Sequence, residues 1–220
     1  MFNKNLFFAI VLIMEAANVI KYYVLCNKLK NMIRVGWEAW EVDAPRIESV
    51  AEHVYGALMV AVAMYSEYNY DLDFSKVLLM LAIHETEEIL IGDLTPFQAS
   101  REEKQKKGHE AVIKVFASLA KRDELISLVN EYDARKTPEA KFAYQCDKLE
   151  ADLQCKLYDE AGGITLRGQE NNPNCSNDLV RKLLKSEQSF SSAWSKYTEG
   201  YVDFYENFLA VEEYVRKHRI

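Results

Sequence analysis

The sequence predicts an all-α fold, a single-domain helical bundle, on three observations. Only 8 glycines and 4 prolines occur in 220 residues, too few for the many tight turns of a β-sandwich or barrel. Apolar residues recur at i, i+3, i+4 and i+7 spacing, which marks a buried helix face. The breakers fall between the periodic segments, with Pro45, Pro96, Pro138 and Pro173 at expected boundaries. A hydrophobic content of 49% excludes a disordered chain. The length suits one domain with a full core, taken as residues 1–220 with no internal repeat and no second-domain linker.

The first element is an apolar run, Leu6 to Met14, behind Lys4. It is too short to span a bilayer. It resembles a weak signal peptide, but no A-x-A cleavage site follows, so a helix packed on the domain is expected. From Ile47 to Tyr65 the apolar positions Ile47, Val50, Ala51, Val54, Leu58, Ala61 and Val62 lie on one helical face. Asp71 to Phe74 reads as a polar turn with Asp73 as N-cap. Val77 to Ile83 is apolar on every side, continues through polar residues to Glu88 and stops at Gly92. One buried helix of about four turns is expected there. Arg101 to Ala120 and Asp123 to Ala134 read as two further helices. Pro138 opens a helix that runs through Asp147 to about Ala161 and ends at Gly162-Gly163. Residues 164–177 read as loop, and 178–218 as a helical extension. In that extension Phe190, Trp194, Tyr197, Tyr201, Phe204, Phe208, Val211 and Val215 form one stripe. It reads as a core-facing seam, with a dimer seam as the alternative and Gly200 as a bend.

The net charge of −7 supplies no uniform basic field for a nucleic-acid backbone. No nucleic acid and no membrane are expected as partners. Cys26, Cys146, Cys155 and Cys175 include no C-x-x-C pair, so reduced thiols in a cytoplasm are expected. The basic cluster Lys104, Lys106 and Lys107 and the nearby His109 read as a solvated face, from which one lysine has the reach to meet an anionic substrate. Asn174-Cys175-Ser176 fits a glycosylation sequon, which carries little meaning in a cytoplasmic chain.

Chemistry concentrates at the end of the buried helix, where His84-Glu85-Thr86-Glu87-Glu88 follows seven apolar residues. Helical spacing puts His84 and Glu88 on one face. Carboxylates at a helix C-terminus oppose the macrodipole, and burying them unpaired is costly. A divalent cation would compensate, since neutral imidazole plus carboxylate is a common ligand set. His53, in Ser49-Val50-Ala51-Glu52-His53, and Asp147, in Cys146-Asp147-Lys148-Leu149-Glu150, are further candidate ligands. Spacing alone leaves a metal site and a buried polar network both open.

Three separated blocks resemble the HD-domain metal-dependent phosphohydrolases, most closely their 5'-deoxynucleotidase branch. They are Arg34-Val35-Gly36-Trp37 with Glu48 to His53, His84 to Glu88 with Gly92-Asp93-Leu94-Thr95-Pro96, and Asp147-Lys148. Arg101-Glu102-Glu103-Lys104 is a weaker echo, and the likeness covers about residues 20–160. The resemblance implies an HD-type bundle in which His53, His84 and Asp147 ligate one divalent cation (Mn, Co, Mg, Fe, Ni or Zn). Glu85 stands where the family has the Asp of its His-Asp pair. By the same resemblance Glu88 handles the proton beside the reacting water, Asp93 acts near the reacting phosphate, and Arg34 and Trp37 meet the substrate's phosphate and sugar. Glu in place of Asp adds one methylene. Glu85 then ligates by another rotamer, retunes the metal, or marks a site that has lost activity.

The implied function is hydrolysis of (deoxy)nucleoside 5'-monophosphates to nucleoside and phosphate, by a cytoplasmic homodimer. Two alternatives stay open: a phosphohydrolase of another nucleotide or phosphate ester, and a catalytically inactive binding or regulatory protein.

Overall fold

A long helix that begins at a proline organises the chain. The computed structural model describes residues 4–94, 101–172, 175 and 177–220, the side chains of 4–11, 101–102 and 170 excepted. Among these, eleven α-helices and two short 3-10 turns occur, and the only β pairing is an isolated bridge between Ile33 and Ser49. The helices are α1 (Lys4–Cys26), α2 (Val35–Ala39), α3 (Val50–Glu67), α4 (Phe74–Ile83), α5 (Glu88–Ile91) and α6 (Arg101–Phe116). They continue with α7 (Arg122–Ala134), α8 (Pro138–Glu160), α9 (Asp178–Ser186), α10 (Phe190–Glu199) and α11 (Glu206–Lys217).

Pro138 occupies the first turn of α8, where its missing N–H costs nothing, and Thr137 caps that turn by accepting from the Ala140 N–H. Gly162, at φ 74°, follows its end. α8 packs against α3, α4 and α7 on one side and α10 and α11 on another. Its buried Phe142, Ala143, Cys146 and Leu149 join Ala57, Ala61, Met80 and Leu81 in the main core. α3 begins three residues later than Ile47, at a complete capping box between Ser49 and Glu52. Asp73 caps α4 as expected, accepting from the Lys76 N–H.

Two expectations are corrected. The helix expected to run through Glu88 ends at Ile83. Thr86 turns its hydroxyl onto the Ile83 carbonyl at 2.8 Å, and the Thr86 N–H bonds the same carbonyl at 3.1 Å. This tightens residues 84–87 into a turn before the short α5, which stops at Gly92 with φ 78°. The single C-terminal helix is also divided. Gly200 ends α10 and the chain turns before Glu206, which leaves Tyr201 exposed while Phe204 and Phe208 enter the core. The expected loop 164–177 carries a 3-10 turn at Gln169–Asn171. The Gln169 side-chain amide donates to the Trp40 carbonyl. Trp40, Phe190 and Ala193 share a second core cluster, which ties the C-terminal helices to the N-terminal third. Thr95, Pro96, Pro173, Asn174 and Ser176 lie outside the described residues.

Candidate metal centre

Four elements bring four side chains to one point. His53 comes from the first turns of α3, His84 from the end of α4, Glu85 from the following turn and Asp147 from the middle of α8. Each offers one ligand atom, and those atoms all lie within 4.8 Å of one another. His53 Nε2 is 3.0 Å from Asp147 Oδ1 and 3.7 Å from Glu85 Oε1. His84 Nε2 is 3.4 Å from Glu85 Oε1 and 3.9 Å from Asp147 Oδ1. The extra methylene of Glu85 therefore does not carry its carboxylate out of the cluster.

The surroundings decide which atom of each residue faces inward. His84 Nδ1 donates to the Leu81 carbonyl at 2.7 Å, so its Nε2 carries the free lone pair. That Nε2 is buried with no hydrogen-bond partner, as a nitrogen awaiting a cation would be. His53 Nδ1 meets the Glu150 carboxylate, which leaves Nε2 to the cluster. Asp147 Oδ2 accepts from the Tyr132 hydroxyl at 2.7 Å and from Lys148 Nζ at 2.9 Å, so Oδ1 is the oxygen left to ligate. Two imidazoles, neutral once a cation displaces their protons, and two carboxylates make a divalent-cation donor set, and the orphaned His84 nitrogen fits it.

The charges of the four groups are coupled: against burial, the neighbouring carboxylates push the His53 and His84 imidazoles toward their protonated form. Burial alone would push the Glu85 carboxyl up, but the His84 and His53 imidazoles outweigh it and hold that carboxyl well below the usual range. Burial likewise opposes the Asp147 charge, and Lys148 with His53 overcomes it. Glu88 differs: burial, then the Glu85 and Asp93 charges, push it up to about 10. Its Oε2 has no hydrogen-bond partner, while Lys104 Nζ lies 3.4 Å from its Oε1. Lys104 also donates to the Leu94 carbonyl, so one lysine of the basic cluster does turn inward.

Of the remaining candidates, Arg34 sits with its guanidinium 3.8 Å from Glu85 Oε1. Asp93 accepts the Val35 N–H at 2.9 Å and so holds the first turn of α2, beside Arg34. Trp37 is only 3% exposed. Its indole N–H donates to Glu48 Oε1 at 2.7 Å and its ring packs edge-on against Tyr158, so it sits in the core and not at an open face. A cavity of about 250 Å³ reaches the cluster at His84, Glu85 and Asp147, bordered by Lys104, Tyr132, Arg135 and Lys148.

Tyr132 and Glu150 escape the sequence reading. Glu150 carries a signal, being three residues beyond Asp147 and so on the same helical face. Tyr132 carries none, since a tyrosine at helical spacing reads as ordinary core.

Comparison with known proteins supports the same picture. The family model described as HD domain matches residues 26–168. A 5'-deoxynucleotidase of Dictyostelium discoideum is 31% identical over 152 residues, covering 66% of this chain and 79% of its own. A Bos taurus 5'-deoxynucleotidase is 32% identical over 149 residues, covering 66% and 70%. A crystal structure from Pyrococcus horikoshii superposes with a TM-score of 0.66 at 23% identity, covering 90% of this chain and 98% of its own, which bears on the fold.

Proposed function

This chain belongs to the HD-domain family of metal-dependent phosphohydrolases, and from that premise we propose that it hydrolyses (deoxy)nucleoside 5'-monophosphates to nucleoside and phosphate. The observation that carries this reading is the buried convergence of His53, His84, Glu85 and Asp147 around the unpartnered His84 Nε2.

These four residues would hold the cation. When bound, a divalent cation polarises a phosphoryl oxygen and acidifies water. Arg34 neutralises phosphate charge through its planar donor fork. Its place beside Glu85 puts that fork at the edge of the ligand cluster. Asp93 positions Arg34 by holding the start of α2. Glu88 moves the proton. Held protonated by its burial, its Oε2 gives that proton to the 5' oxygen as the old P–O bond breaks and takes one back from the attacking water as the new P–O bond forms. Lys104 steadies the other Glu88 oxygen. Trp37 acts at one remove, by fixing Glu48 and the wall behind Arg34.

The partner in this reading is a small nucleotide. Four free cysteines support a reducing, cytoplasmic setting. A homodimer belongs to the reading through the family likeness alone. The identity of the cation and the base preference are set by assay: a matrix of Mn, Co, Mg, Fe, Ni and Zn against deoxynucleoside and nucleoside monophosphates, triphosphates and sugar phosphates, read as phosphate release. Metal-dependent release from the 5'-monophosphates is expected, with Glu88→Ala lowering turnover at least a hundredfold while the protein still binds its metal. Wild-type turnover in Glu88→Ala sinks the proton role. Release confined to another ester sinks the substrate.

A further inference from the structure

α1 shows a broad apolar face that the rest of the molecule leaves bare. Its inner side is committed: Tyr22, Leu25 and Cys26 pack on Val112, Val115 and Phe116, and the Tyr22 ring lies 5.8 Å from that of Phe116. The outer side carries Leu12, Ile13, Ala16, Ala17, Val19, Ile20, Tyr23 and Val24, all exposed. At about 100° per residue these positions fill an arc of roughly 160°. No charged residue lies within it. Ile20 is 61% exposed and Val24 59%, far more than an apolar face of this extent shows when solvent is its natural neighbour.

Around that face lysines outnumber acids, with exposed Glu15 at one edge of the arc and Lys21 at the other. Residues 1–31 hold Lys4, Lys21, Lys28 and Lys30 against Glu15 alone, a local excess of +3 in a chain of net −7. Lys21 borders the arc, and Lys28 and Lys30 are exposed just beyond the helix end. Lys114 of α6 stands with Lys21 on the wall of an open apolar groove of about 460 Å³ beside Ile20, Val24 and Leu25. Lys30 Nζ lies 5.6 Å above the Tyr23 ring, an ammonium and an aromatic ring side by side as at a membrane interface. No helix among the described residues is long and apolar enough to cross a membrane. Apolar area flanked by an excess of lysines on a helix lying along the protein is the chemistry of interfacial binding.

We propose that the outer face of α1, with Lys21, Lys28, Lys30 and Lys114, docks the enzyme on the surface of an anionic lipid bilayer. This goes beyond the hydrolase reading and does not depend on it, and it reverses the expectation that no membrane is a partner. The apolar arc enters the headgroup boundary while the lysines meet lipid phosphates and carboxylates. The candidate metal centre is built from α3, α4 and α8, so the docked face and the ligand cluster belong to different elements.

The test is flotation of the full chain with vesicles of phosphatidylcholine alone and of phosphatidylcholine with about a third phosphatidylserine. The chain floats with the anionic vesicles, and binding weakens as salt rises. Lys21→Glu with Lys114→Glu weakens it at least tenfold, at about fivefold or more per lysine. Ile20→Asp with Val24→Asp abolishes it, with the far-ultraviolet spectrum and phosphate release unchanged. A chain that stays unbound at every lipid concentration overturns the proposal. So does light scattering that shows a dimer which Ile20→Asp with Val24→Asp converts to monomer, since a second copy then covers the face. Salt-insensitive binding to neutral vesicles removes the lysines' part and overturns it as stated.

Discussion

Asp147 has two carboxylate oxygens and two polar neighbours besides the cluster, and where those neighbours bind determines what it does. Tyr132 and Lys148 occupy one oxygen, so the other is delivered to the histidines. Glu150 does the matching service for His53 by holding Nδ1. Room for Glu150 comes from Gly56: a Cβ there would lie 2.4 Å from Glu150 Oε1, closer than any relaxed contact. Glu150→Ala is expected to weaken cation affinity about 10- to 100-fold, the usual cost of losing a histidine's outer partner. Titration calorimetry of the metal-free protein reads this directly, and an unchanged affinity removes Glu150 from the site. Gly56→Ala should move affinity in the same direction through steric displacement of the same carboxylate. At this scale the sequence was most informative where donors adjoin in the chain. His84, Glu85 and Glu88 stand out because charged groups interrupt an apolar run. Tyr132 does not, because its hydroxyl matters only once α7 lies against α8.

Helix ends place the candidate site more than helix bodies do. The Ser49–Glu52 capping box starts α3 one turn before His53. The turn at 84–87 breaks the helical register that would have stacked Glu88 directly above His84. Periodicity could not reveal that break, since the residues at 84–88 suit a helix and the competing bond comes from one hydroxyl, Thr86. The C-terminal division at Gly200 escaped for a related reason: a heptad-like stripe is compatible with two helices whose inner faces happen to stay in phase. Those helices meet α8 at a buried acid pair. Asp152 accepts from Thr198 at 2.8 Å and Glu212 from Ser195 at 2.7 Å. Burial, reinforced by the Glu212 charge, holds the Asp152 carboxyl well above its usual range. The folded chain thus binds more protons than the unfolded one above about pH 4, and this contribution to stability is present at low pH and lost as pH rises. Each unit of upward displacement is worth about 1.4 kcal/mol. Asp152→Asn removes the requirement for a proton. Its melting temperature relative to wild type should climb between about pH 5 and about pH 8. A flat difference across that window in scanning calorimetry rules the pair out as a pH-dependent strain.

For the whole molecule, the proposed cation site would act as a fastener as well as a reaction centre. His53, His84 and Asp147 belong to three helices of one core, so a cation that binds them stabilises the fold by mass action. Protein stripped with chelator should regain about 2.7 kcal/mol when the cation reaches one hundred times its Kd. His53→Ala should show little of that gain in thermal melts, and an equal gain would place the cation elsewhere. The sequence by itself determined the all-α class, the order of the main helices, the cap at Asp73 and the helix start at Pro138, and the local cluster at His84 to Glu88. These follow from periodicity and from backbone groups that neighbours in the chain must satisfy. Only the tertiary structure decided which oxygen of Asp147 is free, that Glu85 still reaches the cluster, that Trp37 is core, and that one face of α1 is left bare. Each of those depends on a distance of a few ångströms between helices far apart in the chain, and local pattern carries no measure of such distances.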